Sequence, residues 1–161
     1  MSTNILSIIP TDPFWVPGAE AAEVARAILA RVYPGAREVA LDWHEDPVFV
    51  DQGENFENVR CPGCHSDLLI DWWQDQMDEA YATNFQVLTV HLTCCGRDST
   101  LNDLVYSWPA GFAKFVLFAE SPERAGTGDR FVIDASPLDS GELAVIANAL
   151  DHPVRQVLAR Y

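Results

Sequence analysis

Four cysteines carry the chemistry most easily read from this 161-residue chain, and the chain has no others. They stand as two pairs, Cys61-Pro62-Gly63-Cys64 and Cys94-Cys95-Gly96, with 29 residues between the pairs. Thiolates bind soft and borderline metal ions, and four of them complete the tetrahedral shell that zinc prefers. The first pair has the two-residue spacing that points both sulfurs at one ion. The second has no spacer. Neighbouring residues on an extended strand face opposite ways, so both sulfurs reach one ion only if the chain turns at Cys94, which Gly96 permits.

Histidines supply alternative ligands. His91-Leu92-Thr93-Cys94 repeats the two-residue spacing, so His91 stands as a substitute for Cys95. His65, beside Cys64, is a second reserve. A closed set of four thiolates leaves no position for water and implies a structural metal. A set with one member freed implies a metalloenzyme or thiol enzyme working through His91 and Cys95.

Cys-Pro-Gly-Cys resembles the knuckle of the zinc-ribbon group, a broad structural class. The resemblance covers residues 59–96 only. It implies a zinc staple, and it implies as one reading a nucleic-acid-associated ribbon. Two residues depart from the pattern: His65 stands where a ribbon knuckle usually has glycine, and the second pair lacks its spacer.

Charge bears on the partner. The net charge is −14, from 10 basic and 24 acidic residues. Such a field repels nucleic acid, because phosphate binding needs clustered Lys and Arg. It favours a protein with a basic surface. Asp67, Asp71, Asp75 and Glu79 recur every four residues beside Trp72, one acidic ridge on a helix, with no lysine set against it. The first expectation is therefore a non-enzymatic cytosolic interaction protein, of adaptor or immunity/inhibitor type. A second histidine setting, Asp42-Trp43-His44-Glu45-Asp46, offers a further metal or acid/base group. No phosphate loop, nucleophile elbow or His-Glu-x-x-His helix is present.

The elements that position these residues follow from periodicity. Asn4–Ile9 reads as a strand, 19–32 as a helix stopped by Pro34-Gly35, and Arg37–Trp43 as a second strand with a short one near Val48–Val50. Helix 67–83 puts Leu69, Trp73, Met77 and Ala80 on one side, so Trp72 and Trp73 diverge. Strand 85–93 delivers the second cysteine pair, and 99–108 reads as a short helical turn. Phe112–Ala119 is a central strand, 123–129 a loop, 130–134 a short strand, 136–150 a helix and 154–161 the last strand. The chain reads as α+β, one domain over 1–161. It is a ferredoxin-like β-α-β-β-α-β sheet into which a zinc-stapled module, 58–108, is inserted. The first ten residues lack the basic start of a signal peptide, no apolar run spans a bilayer, and reduced thiols fit the cytoplasm.

Overall fold

The computed structural model describes residues 2–124 and 136–161. Alternating apolar strands and amphipathic helices give a mixed α+β architecture. In chain order the elements are β1 (Asn4–Pro10), α1 (Ala19–Val32), β2 (Glu38–Val50), β3 (Asn58–Arg60), α2 (Ile70–Tyr81) and β4 (Thr89–His91). There follow β5 (Asp98–Thr100), β6 (Val105–Ser107), β7 (Gly111–Glu120), α3 (Ser140–Leu150) and β8 (Val154–Arg160). Four strands form the main sheet in the order β2-β7-β1-β8, and each neighbouring pair is antiparallel.

Strand alternation sorts the sheet into two faces. Leu6, Ile8, Phe115 and Leu117 point to the face covered by α1 and α3. Ala22 and Ala25 let α1 lie close, and Leu29, Ile146 and Leu150 fill the space between helices and sheet. Each fully buried leucine here contributes about 1.5–3 kcal/mol. The opposite face carries Ile5, Ser7, Val116, Phe118 and Ala159, and among the described residues no helix lies over it.

A second core belongs to residues 59–112. Val59, Cys61, Leu68, Trp73, Met77, Leu92, Leu101 and Tyr106 pack together and meet the main sheet at Phe112 and Phe49. Two small ladders, β3 with β6 and β4 with β5, frame it. The buried Tyr106 hydroxyl donates to Leu101 O (2.7 Å) and accepts from Trp73 Nε1 (3.2 Å). Polar groups fasten this unit to the sheet. Buried Asn102 donates to Thr11 O and accepts from the Phe112 N–H, both at 2.9 Å. Arg155 Nη1 donates to Ala110 O at 2.7 Å, and Gln52 Nε2 donates to Trp108 O at 3.0 Å.

Several expected boundaries change. β2 runs on through residues 44–47, where a turn was expected, because a bulge between Trp43 and Val48 accommodates Pro47 on an edge strand. The helical turn expected at 99–108 is instead β5, a turn and β6, since residues 98–100 pair with β4 and 105–107 with β3. The helix expected at 67–83 begins only at Ile70. Asp67 bridges Arg60 before it, and Leu69 is 77% exposed rather than on the buried side. The strand expected at 85–93 shrinks to β4, because Asn84 and Phe85 take positive φ in a turn. α3 starts at Ser140, where Asp139 and Glu142 form a reciprocal capping box. The strand expected at 130–134, and the loop at 123–129 beyond Arg124, lie outside the described residues.

A four-cysteine candidate metal centre

The ligating pattern arises from two loops of the same build. In the first, the His65 N–H donates to Cys61 O (3.0 Å) and the Cys61 N–H to Ser66 O (3.0 Å). In the second, the Gly96 N–H donates to Leu92 O (2.8 Å) and the Leu92 N–H to Arg97 O (2.8 Å). His65 and Gly96 each turn the chain at positive φ, 60° and 74°. Histidine tolerates that region better than most side chains, and glycine does so freely. The loops superpose in sequence: Arg60-Cys61-Pro62-Gly63-Cys64-His65-Ser66-Asp67 against His91-Leu92-Thr93-Cys94-Cys95-Gly96-Arg97-Asp98. Even the flanks correspond. Arg60 pairs with Asp67 at 3.1 Å, and His91 with Asp98 at 2.9 Å.

This correspondence explains the missing spacer. Cys64 and Cys95 occupy the same fourth place. Leu92, fully buried, occupies the first place that Cys61 holds in its own loop. The second loop's other sulfur comes from its third place, Cys94, where the first loop has Gly63. The turn over Thr93–Cys95 brings both sulfurs to one side.

All four Sγ atoms lie within 4.8 Å of one another, the one such His/Cys/Asp/Glu group among the described residues. Cys61 Sγ is 3.7 Å from Cys95 Sγ, and Cys64 Sγ is 3.5 Å from Cys94 Sγ. Four sulfurs about 2.3 Å from a tetrahedral ion would be about 3.8 Å apart. The contacts across the two loops therefore match the edges of such a shell, and the four cysteines can hold a metal ion. Cys61 is buried and the other three are exposed.

Local dipoles ready two of the thiols. The N–H groups of Cys64 (3.4 Å) and Gly63 (3.3 Å) donate to Cys61 Sγ. With Cys64 the chief cause, they bring that thiol down to about 6. The Ser66 hydroxyl, 2.8 Å from Cys64 Sγ, lowers Cys64 as well. Cys94 moves the other way, to about 11, through lost hydration and the neighbouring sulfurs. A bound cation reverses the last effect, because it displaces the thiol protons.

The remaining expected residues are placed as follows. His91 is exposed and engaged with Asp98; His65 is exposed at its turn. Asp71, Asp75 and Glu79 lie on the exposed face of α2, and Asp67 precedes that helix, tied to Arg60. Trp73 is buried and Trp72 half-buried against the second core, as their angular separation requires. Asp42, His44, Glu45 and Asp46 follow one another along β2 and its bulge. Trp15 stacks on His152 with centroids 4.1 Å apart, and Trp43 lies half-exposed against Phe115.

The Arg60–Asp67 and His91–Asp98 correspondence was missed in the sequence reading. Its signal was visible: each eight-residue stretch starts with a basic residue, has cysteine four residues on and ends in aspartate. Comparison with protein-family models, with curated proteins and with solved structures finds no match to this chain.

Proposed function

We propose that this chain is a zinc-stapled, non-enzymatic interaction protein of the cytoplasm. Zinc bound by Cys61, Cys64, Cys94 and Cys95 fixes the module 58–108, and that module presents an acidic surface to a protein with a basic face. The observation that carries this reading is the clustering of four sulfurs from two matched loops, all within 4.8 Å of one another and 3.5–3.7 Å apart in the two contacts across the loops. Four thiolates suit zinc, and a shell completed by protein leaves no place for a substrate. The metal's work is then structural. A reduced compartment fits thiols kept for metal.

The strand order β2-β7-β1-β8, antiparallel throughout, supports reading the main sheet as ferredoxin-like. α1 joins β1 to β2 around β7, and α3 joins β7 to β8 around β1, as a pair of split β-α-β units requires. The module is then an insertion between the second and third strands of that sheet.

Three exposed carboxylates of α2, Asp71, Asp75 and Glu79, together with Asp78, form the contact surface. The last turn of α2 contains no basic residue to balance them. Arg60, beside the first metal loop, is matched by Asp67, and the net charge of −14 favours a protein partner over nucleic acid. Adaptor and immunity-type inhibitor are the two roles that such a surface serves.

The test is affinity capture from the native source, followed by binding measurements. The double variant Asp71→Lys/Asp75→Lys should weaken capture of the partner, and added salt should weaken wild-type binding. Its folding stability should stay level or rise slightly, because like charges four residues apart cost about 0.2–0.5 kcal/mol per pair. A captured partner indifferent to both salt and reversal removes α2 as the contact surface.

A further inference from the structure

The sheet face left uncovered by the helices holds a cavity of about 260 Å³. Its floor is apolar: Ile5, Val116, Phe118 and Ala159. Ser7 stands among them, in register with Phe118 on one neighbouring strand and Val157 on the other. Ser7 is only 7% exposed, yet its hydroxyl has no hydrogen-bond partner among the described residues. Every fully enclosed side-chain polar atom among them is satisfied, so the Ser7 hydroxyl opens into the cavity. The hydroxyl is therefore free to bond a molecule in the cavity, and alanine would fill the same place without breaking a hydrogen bond within the protein.

The rim is anionic. Asp42 and Asp51 line it, and no Lys or Arg does. Asp51 is held in place rather than free to swing away: its Oδ1 accepts from the Gly53 N–H at 2.8 Å and from the Tyr161 hydroxyl at 2.6 Å. Its second oxygen stays available. A half-buried histidine, His44, completes the wall. The cavity thus combines an apolar floor, one hydroxyl that faces it without a partner among the described residues, and two carboxylates with no Lys or Arg in the lining.

We propose that this open sheet face binds a small organic cation, a protonated amine carried on an apolar body. The body lies on Phe118, Val116 and Ile5, the ammonium faces Asp42 and Asp51, and the Ser7 hydroxyl bonds a polar atom of the ligand. The site is independent of the metal centre and of α2. No covalent step is involved.

Three probes of one shape separate the terms: phenethylamine (a cation), 2-phenylethanol (neutral) and phenylacetate (an anion). Titration into the full-length protein is followed through backbone amide shifts of Ser7, Phe118 and Tyr161. Phenethylamine should shift them saturably, with a dissociation constant on the order of 1 mM, as suits so small a ligand. 2-Phenylethanol should bind about tenfold more weakly, and phenylacetate should not bind. Asp51→Asn keeps an oxygen for both of its hydrogen bonds and should weaken the amine about tenfold. Ser7→Ala should bind severalfold more weakly while melting no lower than wild type, which separates loss of the site from loss of the fold. Equal binding of all three probes, absence of saturable shifts, or full affinity in Ser7→Ala overturns the proposal.

Discussion

Cys94 shows how a single residue can meet a ligand requirement from an unexpected place. Cys61-Pro62-Gly63-Cys64 was readable at once, because its spacing and turn residues are those a two-thiolate loop needs. Cys94-Cys95 was harder, because strand logic separates adjacent side chains. The paired backbone hydrogen bonds at Cys61 and Leu92 resolve the difficulty: the second loop keeps the frame and supplies its sulfur from the third place. Leu92 then stands where the first loop has its first ligand, Cys61. The account predicts that Cys94→Gly loses most of the metal, and that adding Leu92→Cys to it restores about one ion per chain. Shortening Leu92 should itself cost some stability, on the order of 1–3 kcal/mol, because it is fully buried. Metal titration with a chromophoric chelator reads both variants. A double variant no better than Cys94→Gly alone would mean that the two loops are not equivalent.

At the scale of elements, the long signals were legible and the short ones were not. α1 was read to its last residue, since Ala22, Ala25 and Leu29 repeat at helical spacing and Pro34-Gly35 follow. β4, β5 and β6 are three residues each, too short for alternation to show, and only pairing defines them. Leu101 and Leu104 looked helical, but they are buried beneath a turn between two strands.

α3 carries a check on the same scale. Arg124 donates to Glu142 through Nη1 at 2.7 Å and Nη2 at 2.8 Å, and Glu142 also accepts from the Asp139 N–H at 3.0 Å. The Arg124 guanidinium, chiefly, holds the Glu142 carboxyl down to about 2. The folded value lies below the unfolded one of about 4.3, so this stabilisation is complete above that pH and is lost as pH falls through about 2. The side chain is a quarter exposed. Solvent screening therefore limits the contribution to about 1–2 kcal/mol. Glu142→Gln keeps the oxygen that caps the helix and loses the charge. Chemical denaturation should find the variant less stable than wild type near neutral pH, with the gap closing as the acid limit is approached. A constant gap across that range would assign the effect to packing.

For the whole molecule, two cores share one chain. The main sheet with α1 and α3 forms its own, and residues 59–112 form the other, joined through Asn102, Arg155 and Gln52. Composition foresaw an ordinary core, and the order of strands and helices foresaw a sheet with a long excursion. The open sheet face was not legible, because Ser7 in an apolar strand looks like any tolerated serine until its neighbours are known. Among the described residues no helix is long and apolar enough to cross a membrane. The acidic excess lies on surfaces that include α2, whose only stake in the second core is Trp73, Met77, Ala80 and part of Trp72. What holds that second core to one shape, in this account, is the metal between its two loops.

Elemental analysis of protein purified without added metal tests that claim most directly. The account predicts about one zinc per chain in the wild type and a large loss in Cys61→Ser, whose replaced sulfur is the buried one of the four. Wild-type protein carrying no metal, with all four thiols freely titratable under native conditions, would contradict it.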